Sequence, residues 1–151
     1  LLHAINIDEL ESTLREGLSL LQNGNGNEFE KYKREVQVIM RYVNMHYKEH
    51  ITLDEIARAA NLNRSYLCRL FKKEYGDSIF NYLNSIRMEK AAEMLRSNPN
   101  LYVQEVAAAV GICEPFYFTR RFKEYFGVSP RDFVIHLAKN KILFESNAST
   151  K

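Results

Sequence analysis

Two short stretches put a lysine three residues after an arginine, just ahead of an aromatic end closed by glycine. They are Arg69 and Lys72 in CRLFKKEYG, and Arg120 and Lys123 in TRRFKEYFG. A guanidinium presents a planar fork of donors that can meet two acceptors at once, as on the O6/N7 edge of guanine. An ammonium is a compact charge suited to a phosphate. Other reactive residue types do not converge. His46 and His50 are four apart, but His50 closes its helix and no third metal ligand accompanies them. Cys68 has no neighbouring histidine to activate it as a nucleophile. Met40, Met45, Met88 and Met94 fall in helical patterns and read as core filler. No glycine-rich phosphate loop is present. The expectation is therefore a binding protein, with no catalytic residues, metal or cofactor.

The elements that position these cations occur twice. FKKEYGDS (71–78) and FKEYFGVS (122–129) end two copies of one grammar: a short helix, a three-residue turn, a second helix and a glycine stop. Thr52 and Glu55 form a capping-box pattern that opens a helix at about 53–60, and Asn61-Leu62-Asn63 supplies the turn. Asn63 then caps a helix at about 64–75, and Gly76 sits where a left-handed terminator is wanted. In the second copy the spans are 103–110, the turn Gly111-Ile112-Cys113, 114–126 and Gly127. Ala57 and Ala107 are small where two steeply crossing helices must approach. Asn61 and Gly111 tolerate positive φ, and Leu62 and Ile112 plug the joint. Meeting three independent requirements twice identifies a duplicated helix-turn-helix.

In the second helix of each copy, one face must be buried. Leu67, Leu70, Phe71 and Tyr75 face inward in the first, leaving Arg64, Ser65, Cys68, Arg69 and Lys72 outward. Phe118, Phe122 and Tyr125 or Phe126 face inward in the second, leaving Pro115, Phe116, Thr119, Arg120 and Lys123 outward.

The rest of the chain frames these copies. The fold class expected is all-α, two helix-turn-helix subdomains joined by a long linker helix at 78–96 that carries Phe80, Leu83, Ile86, Met88 and the stretch 91–95, with an additional N-terminal helix. That leader helix covers 1–21, with Asn6 and Glu9 as its cap and Leu10, Leu14, Leu18 and Leu21 at helical spacing. A polar linker follows at 22–31, and a helix from about 32 to 48 carries Val36, Ile39, Met40, Val43 and Tyr47 on one face. Together, 32–138 form one DNA-binding domain, with helix-turn-helix units at 53–76 and 103–127. Ser129-Pro130 opens a last helix to about 138, and 139–151 reads as a polar tail. Of the 151 residues, the first 30 hold six acids and one base, leaving 20 bases and 13 acids beyond them. A body of net charge +7 behind an acidic leader points to a polyanionic partner. No apolar run approaches the roughly 18 residues that would cross a bilayer. Two cysteines without CxxC spacing read as reduced thiols in a cytoplasm.

With these residues in view, 36–136 resembles the DNA-binding domain of the AraC/XylS family of bacterial transcription regulators. The most specific part is EVAAAVGICEPFYFTRRFKEYFGVSP (105–130), similar to the family's glycine turn, Tyr-Phe-x-Arg, Phe-Lys and Gly-x-Ser-Pro. LDEIARAANLNRSYLCRLFKKEYG and YLNSIRMEKAAEML (82–95) resemble its first unit and linker helix. Ile112 stands where Phe is usual, and Phe133-Val134 replaces a common Tyr-Arg, both away from the outward faces.

The resemblance implies two recognition helices in successive major grooves, about 34 Å apart, held by a rigid linker helix. It places Ser65, Cys68 and Arg69, and Phe116, Thr119 and Arg120, toward bases, with Lys72 and Lys123 near phosphates. LLHAINIDELESTLREGL further resembles the last strand and helix of a receiver domain, which implies the C-terminal part of a two-component response regulator. The implied partners are double-stranded promoter DNA, RNA polymerase and, through an upstream domain, a second copy. The competing expectation is a helical protein-interaction module that does not read DNA.

Overall fold

The computed structural model describes residues 26–148, all of whose regular elements are helices. In chain order they are α1 (Gly26–His46), α2 (Leu53–Ala60), α3 (Arg64–Tyr75), α4 (Ile79–Ser97), α5 (Val103–Ala109), α6 (Pro115–Phe126) and α7 (Pro130–Ala148). The expected leader helix at 1–21 lies outside the described residues. None of the described helices is long and apolar enough to cross a membrane.

The described chain divides into two compact units, one of 26–45 and 51–79, the other of 46–50 and 80–148. In the first unit local chemistry sets every boundary of the helix-turn-helix. The Thr52 N–H donates to Glu55 Oε2 at 2.7 Å and Thr52 Oγ1 accepts from the Glu55 N–H at 3.3 Å, a reciprocal box that opens α2. Asn61 takes φ 53°, and the Leu62 N–H returns to the Ala57 carbonyl at 2.8 Å. Asn63 then caps α3 by accepting from the Tyr66 N–H at 2.9 Å, and Gly76 ends it in the left-handed region at φ 91°. Ile39, Val43, Ile51, Ile56, Ala57, Leu67, Leu70, Phe71 and Ile79 are the buried residues of this unit.

The second unit repeats the plan around a larger aromatic core. The Ile112 N–H bonds the Ala107 carbonyl at 2.9 Å, the counterpart of the Leu62 bond, with Gly111 at φ 84°. Glu105 accepts from the Tyr102 N–H at 2.9 Å to open α5. Ser129 Oγ accepts from the Asp132 N–H at 3.1 Å to open α7. Phe118 and Phe122 are fully buried with Met88, Ala91, Ala92, Leu95, Val106, Ala107, Val110 and Ile112. Phe126 and Phe133 close against Phe122 at ring separations of 4.6 and 5.4 Å. Helix α4 belongs to this unit from Phe80 onward and gives Met88, Ala91, Ala92 and Leu95 to its core.

The turn at 46–50 also belongs here. The Arg87 guanidinium donates to the carbonyls of Tyr47 and Glu49 at 2.8 and 2.9 Å. Burial pulls its pKa below the ordinary value, and the Tyr117 hydroxyl and Cys113 thiol push the other way.

Four expectations are corrected. Helix α1 starts at Gly26, not near 32, because no proline or further glycine follows Gly26 to break it before His46. Helix α7 runs to Ala148, not about 138, since no glycine or proline follows Pro130. Phe80 is 46% exposed because the inward stripe of α4 starts at Ile79, and the next residue lies about 100° around the helix. Met45 is 72% exposed, since the buried face of α1 passes through Ile39 and Val43 instead.

Candidate nucleic-acid interface

The candidate residues fall into two stripes, one on each unit. On α3, Arg64, Ser65, Cys68, Arg69 and Lys72 are all exposed, and Leu67, Leu70 and Phe71 anchor the opposite face. On α6, Phe116, Arg120 and Lys123 are exposed and Thr119 is half-buried, over the buried Phe118 and Phe122. Within each stripe the residues pair at spacings of three and four, so each is one continuous ridge of its helix. Ser65, Cys68, Arg69 and Lys72 match Phe116, Thr119, Arg120 and Lys123 at a constant shift of 51. The structure thus brings together each predicted set within its own unit.

The two ridges differ in their electrostatic surroundings. Among the described residues no acid pairs with Arg69 or Lys72. Arg120 Nε lies 3.9 Å from Glu124 Oε1, and its guanidinium carbon stands 5.7 Å from the Tyr117 ring centre. Glu124 also takes Arg121 at 2.9 Å. Helix α3 carries four bases and one acid, whereas α6 with its cap carries three bases and two acids.

Glu114 is the residue that the sequence reading missed. Its Oε1 accepts from the Phe116 N–H at 2.9 Å and its Oε2 from the Tyr117 N–H, so a carboxylate closes the N-terminus of α6. Pro115 at the first helical position was the available signal, since it fixes Glu114 at the cap. Glutamate is a less common cap than Asn63, its counterpart, which is why the pattern was silent.

A surface ridge of this kind on the second helix of each of two helix-turn-helix units defines a class of DNA-binding domain. The helix-turn-helix domain family matches residues 56–134. The C-terminal domain of AraT, a response regulator from Geobacillus stearothermophilus, is 37% identical at a TM-score of 0.64, over 68% of this chain and 84% of that one. The C-terminal domain of the two-component response regulator yesN from Fusobacterium nucleatum is 30% identical at a TM-score of 0.59, over 65% and 95%. The lactose operon transcription activator of Staphylococcus xylosus is 32% identical over 106 residues, which are 70% of this chain and 38% of that protein. The chain belongs to the AraC-type helix-turn-helix family of transcription regulators.

Proposed function

We propose that this chain binds double-stranded DNA sequence-specifically to control transcription, as the DNA-reading part of a two-component response regulator. Both recognition helices, α3 and α6, take part, each over its own segment of major groove. The observation that carries this reading is the repeated ridge: an exposed arginine and lysine three residues apart, on a helix anchored from behind by buried aromatic residues. Arg69 and Arg120 read bases, with Ser65, Cys68, Phe116 and Thr119 beside them. Lys72 and Lys123 meet phosphates, and Arg64 stands at the start of the first ridge.

The response-regulator assignment is supported by the two solved relatives described by that name, and by the likeness of residues 1–21 to the end of a receiver domain. On this reading the protein works in the cytoplasm and has no catalytic step of its own. RNA polymerase and, through a domain upstream, a second copy are its protein partners. Selection of bound sites from random duplex DNA tests the proposal. The expected result is a bipartite motif with halves about 10 bp apart. One short half alone would limit reading to a single unit, and no enrichment at all would overturn DNA reading.

A further inference from the structure

The two ridges share their arginine and lysine but open differently. The first starts with the neutral cap Asn63 and then Ser65, the second with Glu114 and then Phe116. The N-terminus of a helix is an anion seat, because its first N–H groups lack partners and the helix dipole is positive there. On α6 the Glu114 carboxylate already fills that seat through the N–H groups of Phe116 and Tyr117. An anion fixed there repels a phosphate, so the first turn of α6 suits the floor of a groove better than its phosphate wall.

In that turn the Phe116 side chain stands free, 86% exposed, the most exposed of the large hydrophobic residues described. An open hollow beside it is lined by Glu114, Phe116, Tyr117 and Arg120. An intact duplex offers ring edges in the major groove, not ring faces, so the phenyl group has no base to stack upon. The one apolar group on those edges is the 5-methyl of thymine.

We propose that Phe116 is a specificity-determining residue that reads a thymine 5-methyl group in the half-site of the second unit. The first unit, with Ser65 in the matching place, has no such preference. This rests on the DNA-binding reading above. An exposed phenylalanine could instead serve a protein partner, but the neighbours of Phe116 on the ridge are Thr119, Arg120 and Lys123, polar and basic where a protein-docking patch is apolar.

The test uses the whole chain and a duplex obtained by selection from random DNA. Each thymine is replaced singly by deoxyuridine, which removes the methyl group and nothing else. Wild type should weaken about fourfold at one or two positions, all in one half-site, the loss expected for one buried methyl group. Phe116→Ala and Phe116→Ser should bind with no response at those positions, and should melt like wild type because the ring is exposed. The proposal is overturned if no deoxyuridine weakens wild type, or if the variants respond as wild type does. Variants that bind DNA normally, keep the deoxyuridine response and lose transcription from a reporter would assign Phe116 to a protein partner instead. A selection that enriches no sequence removes the DNA-binding reading, and this inference with it.

Discussion

The Arg87 Nε–H donates to the Tyr47 carbonyl at 2.8 Å across forty residues of chain, and a second N–H of the same guanidinium reaches the Glu49 carbonyl. The turn so held belongs to the second unit, although the residues on both sides of it belong to the first. The second helix-turn-helix is therefore completed by five residues that precede the first one.

That clamp gives Arg87 a role in the stability of the second unit. Arg87→Ala should cost about 1–3 kcal/mol in the second unit, because two carbonyls lose a charged donor. Arg87→Lys should recover part of this, since an ammonium lacks the planar fork that reaches both oxygens. Hydrogen exchange at the Ile112 amide, bonded to Ala107, reports the second unit directly. Exchange there should quicken about tenfold or more in Arg87→Ala, while the Leu62 amide of the first unit should keep its wild-type rate. No change at Ile112 would mean that the clamp contributes nothing.

The same turn explains why Gly111 has to be glycine. A Cβ at Gly111 would lie 2.5 Å from the Lys48 carbonyl oxygen and 2.8 Å from its carbon, on a backbone at φ 84°. At Gly76 and Gly127 a Cβ would meet nothing within 4 Å, so only the left-handed conformation opposes it. Gly76→Ala and Gly127→Ala should each cost about 1–2 kcal/mol. Gly111→Ala should cost clearly more, since backbone must also move. Urea unfolding of the three variants gives the ranking, and a Gly111→Ala as mild as the other two would show that the 46–50 turn yields easily.

What was legible in the sequence was what short-range chemistry decides. Asn63 and Gly76 bound α3 at both ends, and Thr52 with Glu55 opens α2, because caps act over three or four residues. Placement that depends on distant partners was not legible. Nothing local shows that Met88 to Leu95 enter the core of the second unit, or that Arg87 finds Tyr47. The ridge residues were found because helical periodicity is local. The Glu114 cap was not, because its residue type gives a weak signal.

The lysines should act on salt dependence and the arginines on base preference. Lys72→Ala and Lys123→Ala should each lower the slope of log K against log salt by roughly 0.9, as one phosphate contact is lost. Arg69→Ala or Arg120→Ala should cost on the order of 1–3 kcal/mol on the selected site and relax one base position. Binding titrations at several salt concentrations on selected and scrambled duplexes separate the two. An arginine variant that weakens all sequences alike would move that arginine to the phosphate set.

Glu114 should show opposite effects on stability and on binding. Its carboxylate closes α6 through the Phe116 and Tyr117 N–H groups, so Glu114→Ala should destabilise the protein by about 1 kcal/mol. Removing that anion from a helix N-terminus facing a polyanion should at the same time tighten DNA binding and steepen its salt dependence. The extra affinity should appear on scrambled duplexes as much as on the selected one, because a phosphate can now approach the vacated N–H groups regardless of sequence. Thermal unfolding and binding titrations on one protein preparation measure both effects. A variant less stable and also weaker in binding would mean that Glu114 acts on DNA only by ordering the first turn, where Phe116 stands.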